Sequence, residues 1–235
     1  ARLVGTDCCC PSGYHNGESA LRECFRLGTA KDTTNNSVNT QYREVGFSFN
    51  KEMVDVIGKH GGDIDLLGYF QTDKYWSHCE NLIKQEFTFH DSNNVKVRRW
   101  LKEENIDPSE YVSIHVRRGD YIKLQNVHPP CTEDYYIRAI EAFPDKKFMI
   151  FSDDMHWVKR SRAFWNLENA SFPHMHQYQD LNLMSQCSGH IIANSSFSWW
   201  GAALGGGPTV APKTWFGPSG YNDWQDIYRN GWTVI

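Results

Sequence analysis

Residues 113–121 read Ser113-Ile-His-Val-Arg-Arg-Gly-Asp-Tyr121, and the rest of the chain is organised around this stretch. The apolar run from Tyr111 to Val116 predicts a short buried strand. It gives out into two adjacent arginines, a glycine and an aspartate. Two guanidiniums at the end of a buried strand are costly unless something anionic meets them. The planar guanidinium fork suits phosphate, and the glycine lets the backbone turn or approach a ligand closely. Taken alone, Arg-Arg-Gly-Asp reads equally well as an ion pair capping a strand.

A second stretch, Asn194-Ser-Ser-Phe-Ser-Trp-Trp-Gly201, tips that balance toward an anion site. It follows the apolar strand His190–Ala193 and opens a helix over Ser198–Leu204. Asn and Ser are favoured N-caps, and a helix start offers free N–H groups to an anion. By itself this stretch is either plain helix capping or an anion site. Together the two stretches put phosphate-holding groups beyond the carboxyl ends of two strands, where an open α/β sheet binds nucleotides.

Outward from these stretches, the pattern alternates. Strand Tyr111–Val116 precedes helix Glu133–Phe143, and strand Lys147–Phe151 precedes helix Met155–Trp165. A weaker strand around Phe172–His176 leads to helix Asp180–Cys187, strand His190–Ala193, helix Ser198–Leu204 and strand Pro208–Ala211. Such alternation predicts an α/β fold with a doubly wound parallel sheet. Ahead of it come a helical window near Glu18–Leu27, a loop over Lys31–Thr40, and a short strand with Phe47 and Phe49 alternating against Ser48 and Asn50. A helix Lys51–Lys59 closed by Gly61-Gly62 follows, then a helix over Tyr75–Glu86 and an amphipathic helix Val95–Glu104. The Asp107-Pro108 step marks the expected boundary between domains 1–107 and 108–235. Asp63-Ile-Asp65 runs into Leu66-Leu67 and reads as a strand lead-in rather than a metal motif.

Composition narrows the classes. At 235 residues, with 40% hydrophobic and 14% aromatic content, the chain can bury a sizeable core. Net charge is −4 and no basic run exists, so a nucleic-acid partner is not expected. Seven cysteines, an odd number with no recurring CxxC pair, argue against structural zinc and fit a reducing compartment. The run Cys8-Cys9-Cys10 receives no role. No apolar run reaches membrane-spanning length, so membrane association is expected only through a segment outside this chain. Three N-x-S sites occur, at Asn35, Asn169 and Asn194.

The stretches HVRRGDY and NSSFSWWGAAL resemble the hallmark segments of the α-1,2-fucosyltransferases, which transfer fucose from GDP-fucose. Tyr42-Arg-Glu44, Gly68–Tyr75, His128–Tyr136 (HPPCTEDYY) and Phe151-Ser-Asp-Asp154 are similar to that family in the same order, over about residues 42–215. Members usually begin with a strand and a Gly-Gly-Leu-Gly-Asn-Gln loop. This chain opens Ala1-Arg-Leu-Val-Gly-Thr-Asp7 and has no such loop. The resemblance implies a GT-B-like architecture of two Rossmann-like halves: a complete C-terminal nucleotide-sugar domain, 108–235, and a shortened acceptor-side half, 1–107. The tail, Trp224–Trp232, is expected to cross back to the N-terminal half. The implied location is cytoplasmic for a microbial or viral enzyme and the Golgi lumen for a trimmed eukaryotic one.

The implied reaction is inverting transfer of L-fucose from GDP-fucose to the 2-hydroxyl of a galactoside, with a nucleotide sugar and a glycan acceptor as partners. No cofactor and no metal are expected. Two alternatives stay open: another donor sugar or linkage on the same fold, or a non-catalytic relative that binds glycan or nucleotide. Positive charge against the departing diphosphate is the largest requirement. Arg117 and Arg118 can supply it, with Asn194, Ser195, Ser196, Phe197 and Ser198 around the phosphates. Successive side chains on a strand end start in opposite directions. One arginine is therefore expected on the diphosphate and the other on a buried Asp120, with Arg118 taken as the phosphate ligand. By resemblance, His115 contacts the nucleoside; a core histidine is the alternative. Asp180 reads as either a guanine ligand or a helix N-cap, and Asp153 and Asp154 as either ribose or guanine contacts or helix caps. His128 can take a proton near neutral pH or can simply position its loop.

Overall fold

A computed structural model describes residues 23–26, 40–61, 64–168 and 170–235. The chain divides into two compact units, residues 1–91 with 223–227 and residues 92–222 with 228–235.

The second unit holds a six-stranded, all-parallel sheet. Its first strand, Tyr111–Val116, follows two strands of the other unit, β1 (Gln41–Arg43) and β2 (Asp65–Leu67), and is therefore β3. The others are β4 (Lys147–Ser152), β5 (Ala170–Ser171), β6 (Gly189–Ile191), β7 (Thr209–Ala211) and β8 (Thr233–Val234). The spatial order is β5-β4-β3-β6-β7-β8. The chain thus runs outward from β3 in one direction, returns to β6 at β3's other side, and runs outward again. Order reverses between β3 and β6, which is the topological switch point of a doubly wound sheet. The arginine stretch leaves the end of β3 and the Asn-Ser-Ser stretch leaves the end of β6. These strands are neighbours, with Val112 opposite Gly189 and Ile114 opposite Ile191.

Both faces of the sheet are covered, which is why β3 is buried at every residue. Val112, Ile114 and Val116 join Phe148 and Ile150 in a core shared with Tyr135, Tyr136 and Ala139 of α4 (Glu133–Glu141) and Val158 of α5 (Met155–Arg160). On the other face, Tyr111, Met149 and Phe151 pack with Val97 of α3 (Asp91–Glu103) and with Leu183 and Met184 of α6 (Gln177–Met184). The helix that opens after β6 is α7 (Ser196–Gly205). One polar pair lies inside the sheet. His190 Nε2 is 2.8 Å from the Gly206 carbonyl and so must carry the proton, and Nδ1 accepts from the Ser113 hydroxyl at 2.8 Å. Burial pushes this imidazole down to about 4 and keeps it neutral.

The first unit carries the two-stranded parallel sheet β1-β2 among its described residues. It also has α1 (Lys51–Lys59), capped by the Asn50 side chain, and α2 (Glu80–Glu86). Glu44, just past β1, accepts the N–H groups of Tyr69 and Phe70, just past β2, at 2.8 and 2.7 Å. Burial raises its pKa.

Several boundaries differ from expectation. No strand forms at Phe47 and Phe49, because their N–H groups are taken by the carboxylates of Asp223 (3.0 Å) and Asp226 (2.8 Å). Residues 223–227 accordingly belong to the first unit. The compact division falls at Asp91–Ser92, earlier than 107/108, because Val97 of α3 is buried in the core of the second unit. The helix expected over Tyr75–Glu86 begins with two 3₁₀ turns. The one expected over Met155–Trp165 stops at Arg160, where Ser161 caps a 3₁₀ turn. α6 starts at Gln177 instead of Asp180, because His176 and Gln179 form a reciprocal capping box. Asp180 is therefore inside the first turn and is not a cap. The weak strand at Phe172–His176 is reduced to Ala170–Ser171. Cys8, Cys9, Cys10, Asn35 and Asn169 lie outside the described residues, as does most of the window Glu18–Leu27.

Candidate active site

β3 and β4 end side by side, with Val116 opposite Ser152. This register brings Arg117 and Arg118 against Asp153 and Asp154. Both terminal amines of Arg117 are engaged: Nη1 donates to Asp153 Oδ2 at 2.7 Å and Nη2 to Asp120 Oδ1 at 2.5 Å. Its guanidinium also lies 5.2 Å from the centre of the Tyr121 ring. The other oxygen of Asp153 accepts the backbone N–H of Arg118 at 2.9 Å. Asp153 therefore fixes both arginines, one by side chain and one by backbone.

Arg118 is held differently. Its Nε donates to Asp154 Oδ2 at 3.3 Å, and its guanidinium carbon sits 4.3 Å from the centre of the Trp157 ring. Oδ1 of Asp154 caps α5 by accepting the Trp157 N–H at 3.0 Å. Among the described residues, no protein group pairs with the two terminal amines of Arg118. The two arginines thus divide as charge-paired Arg117 and open-forked Arg118.

The loop after β6 is tied down by Asn194, which is 1% exposed. Its Nδ2 donates to the carbonyls of Pro129 (3.0 Å) and Trp215 (2.9 Å), and its Oδ1 accepts from the Cys131 thiol at 3.6 Å. The Tyr121 hydroxyl donates to its carbonyl at 3.1 Å. Contrary to expectation, the Asn194 side chain is consumed in holding three loops and does not face a ligand. Ser198 is likewise buried, with its hydroxyl shared between the carbonyls of Ala193 and Ser195. Ser195 is the N-cap of α7 but makes no side-chain cap bond, and Ser196 is exposed. The first turn of α7 therefore has no side-chain cap on its N–H groups.

His115, second to last on β3, is buried, and its Nδ1 has no partner. The Phe197 ring is 5.2 Å away. Burial, with the charge of Arg117, pushes this imidazole down to about 3, so it stays neutral. Asp180 has one buried oxygen without a partner, and burial raises its carboxyl to about 7. It shares no hydrogen bond or ion pair with the arginine cluster. His128 stacks on Tyr121 at 4.9 Å and contacts Phe216 at 5.4 Å, and partial burial lowers its pKa. Asp120 is exposed on 57% of its side chain, so the expectation of a buried aspartate is corrected: its loop is open to solvent.

Arg117, Arg118, Asp120, Asp153 and Asp154 therefore form one bonded cluster. Tyr121, His128 and Asn194 brace its flank, and His115, near the end of β3, meets the Phe197 ring. Of the two readings open for Asp153 and Asp154, helix capping holds for Asp154, and both carboxylates also bind the arginines. Sequence reading missed Trp157 and Tyr121. The available signal for Trp157 was its place three residues after the capping aspartate, on the first turn of a predicted helix.

A family model described as Glycosyl transferase family 11 matches residues 28–235. An alpha-1,2-colitosyltransferase of Escherichia coli is 36% identical over 172 residues, which are 68% of this chain and 58% of that protein. A galactoside 2-alpha-L-fucosyltransferase, SEC1 of Bos taurus, is 28% identical over 225 residues, 89% of this chain and 60% of that protein. Among solved structures, fucosyltransferase NodZ from Bradyrhizobium aligns at 12% identity with a TM-score of 0.46, covering 65% of this chain and 57% of that one. The chain spans 58% and 60% of the lengths of these two curated relatives.

Proposed function

The chain belongs to glycosyl transferase family 11, and from that we propose that it moves L-fucose from GDP-fucose to the 2-hydroxyl of a galactoside, with inversion and without a divalent ion. The observation that carries the proposal is the open fork of Arg118 at the sheet's switch point, on the strand beside the one that feeds the uncapped start of α7. A diphosphate there meets a fixed positive charge from one strand end and helix N–H groups from the next. As the sugar–phosphate bond breaks through an oxocarbenium-like transition state, negative charge grows on the leaving diphosphate, and these preorganised donors stabilise it. Inversion needs a single displacement and no covalent nucleophile. The neutral His115 supports a nucleoside contact through its unpaired Nδ1. The unpaired oxygen of Asp180 supports pairing with the donor edge of guanine. His128, with its lowered pKa, is the candidate to accept the acceptor's proton.

A second reading changes the donor to colitose, and the 36% identity to an alpha-1,2-colitosyltransferase favours it. The test is a transfer assay in EDTA with GDP-fucose and GDP-linked colitose against a β-galactoside, with the product linkage read by NMR. The proposal expects an α-1,2 product from GDP-fucose. Transfer only from the colitose donor would favour the second reading, and a strict need for Mg²⁺ or Mn²⁺ would overturn the metal-free mechanism.

A further inference from the structure

We propose that Trp157 and Asp154 are positioning residues that set the plane of Arg118 before the donor arrives. The proposal rests on the reading of Arg118 as the diphosphate ligand. A guanidinium binds two phosphate oxygens only when its plane and its terminal edge are both aimed, so fixing the group in advance removes an ordering cost from binding. Three contacts fix it. The Trp157 ring lies under the guanidinium at 4.3 Å and sets its plane. Asp154 Oδ2 takes Nε at 3.3 Å and fixes rotation within that plane. Asp153 Oδ1 takes the Arg118 N–H and fixes the backbone from which the side chain springs. What remains is the pair of terminal amines.

The platform is itself packed in place. Trp157 packs against the main core, with the rings of Tyr136 and Phe164 each 6.2 Å away. Asp154 is held to the same turn of helix because its other oxygen accepts the Trp157 backbone N–H. One aspartate and the tryptophan three residues later thus grip the arginine by edge and face, and a helix N-cap does double duty as a guanidinium anchor.

A double-mutant cycle on GDP affinity tests this, with Trp157→Leu, Trp157→Phe and Arg118→Ala made singly and in combination. Trp157→Leu is expected to weaken GDP binding about tenfold and Trp157→Phe about threefold or less, the order expected for loss and retention of a cation–π face. In the Arg118→Ala background, Trp157→Leu should have no further effect. Asp154→Asn keeps the helix cap and removes the carboxylate that accepts from Arg118 Nε. It should behave like Trp157→Leu, and it carries the cycle if the leucine variant does not fold. If Arg118→Ala alone leaves GDP affinity unchanged, the reading of Arg118 fails. If Arg118→Ala weakens binding but the Trp157 and Asp154 effects are absent or simply additive to it, the positioning role is overturned and the arginine reading stands.

Discussion

A methyl group placed on Gly119 would stand 2.5 Å from Oδ2 of Asp153, the oxygen that holds Arg117. The backbone after the arginines runs so close to this carboxylate that only glycine leaves it in place. Because both Asp153 oxygens are already committed, it cannot swing aside without releasing a bond to Arg117 or to the Arg118 backbone. Gly119→Ala is therefore expected to lower stability by about 1–3 kcal/mol and to weaken GDP binding at least about tenfold through misplacement of Arg118. Equal GDP affinity in the alanine variant, measured by calorimetry, would show that the loop adapts freely.

Arg117 and Arg118 should separate by phenotype. Arg117 joins two partly exposed ion pairs, so Arg117→Lys should cost only about 1 kcal/mol of stability. That is less than a buried Asp120 would require. Arg118→Lys should leave the melting temperature nearly unchanged yet reduce turnover by about two orders of magnitude, the scale of losing one preorganised transition-state donor. Thermal melts and single-substrate kinetics on both variants check the division. The reverse pattern would exchange their roles.

Asn194 should be unmodified although it sits in an N-x-S site, because its amide nitrogen is bonded to the Pro129 and Trp215 carbonyls inside the fold. Asn194→Ala leaves both carbonyls and the Cys131 thiol without that partner and should cost about 3 kcal/mol or more. Intact-mass spectrometry and a denaturant melt test the two statements. A glycan on the folded protein would contradict the first.

The buried ionisable groups give stability a pH dependence of defined sign. His115 and His190 fold with pKa values lowered to about 3 and about 4, below the 6.5 of an unfolded histidine. Their contribution is complete above pH 6.5 and is lost as pH falls toward the folded values. Asp180 acts oppositely. Its carboxyl is raised from 3.8 to about 7, so its contribution is present at low pH and is lost as pH rises through 7. Asp180→Asn, which mimics the protonated group, should raise the melting temperature at pH 8 and change it least at pH 5. It should also weaken GDP binding if Asp180 meets guanine. A lower melting temperature at pH 8 than at pH 5, relative to wild type, would contradict the assigned shift.

Much of the second unit was legible in the sequence, because a strand buried on both faces leaves a continuous apolar run. Tyr111–Val116 shows this, and its bounds match. What escaped depends on partners distant in the chain. Phe47 and Phe49 alternate like a strand, but the side chains that take their N–H groups come 176 and 177 residues later. Asn194 carries the residue type of a cap and a glycan acceptor, while its role is set by the Pro129 and Trp215 carbonyls. His176 is an uncommon N-cap, so the start of α6 was read at Asp180. At the site, the charge pattern identified the arginines. Their division into paired and open came only from register, since β3 and β4 place Asp153 and Asp154 where sequence spacing cannot.

The most direct test of the central claim, that Arg118 holds the donor diphosphate without a metal, is titration calorimetry of GDP in EDTA on wild type and Arg118→Lys. The account predicts that wild type binds GDP in the chelator and that the lysine variant, still folded, binds more weakly by about tenfold or more, the scale of a lost charged hydrogen bond. Binding by wild type only after Mg²⁺ is restored, or equal affinity in the two proteins, would contradict it.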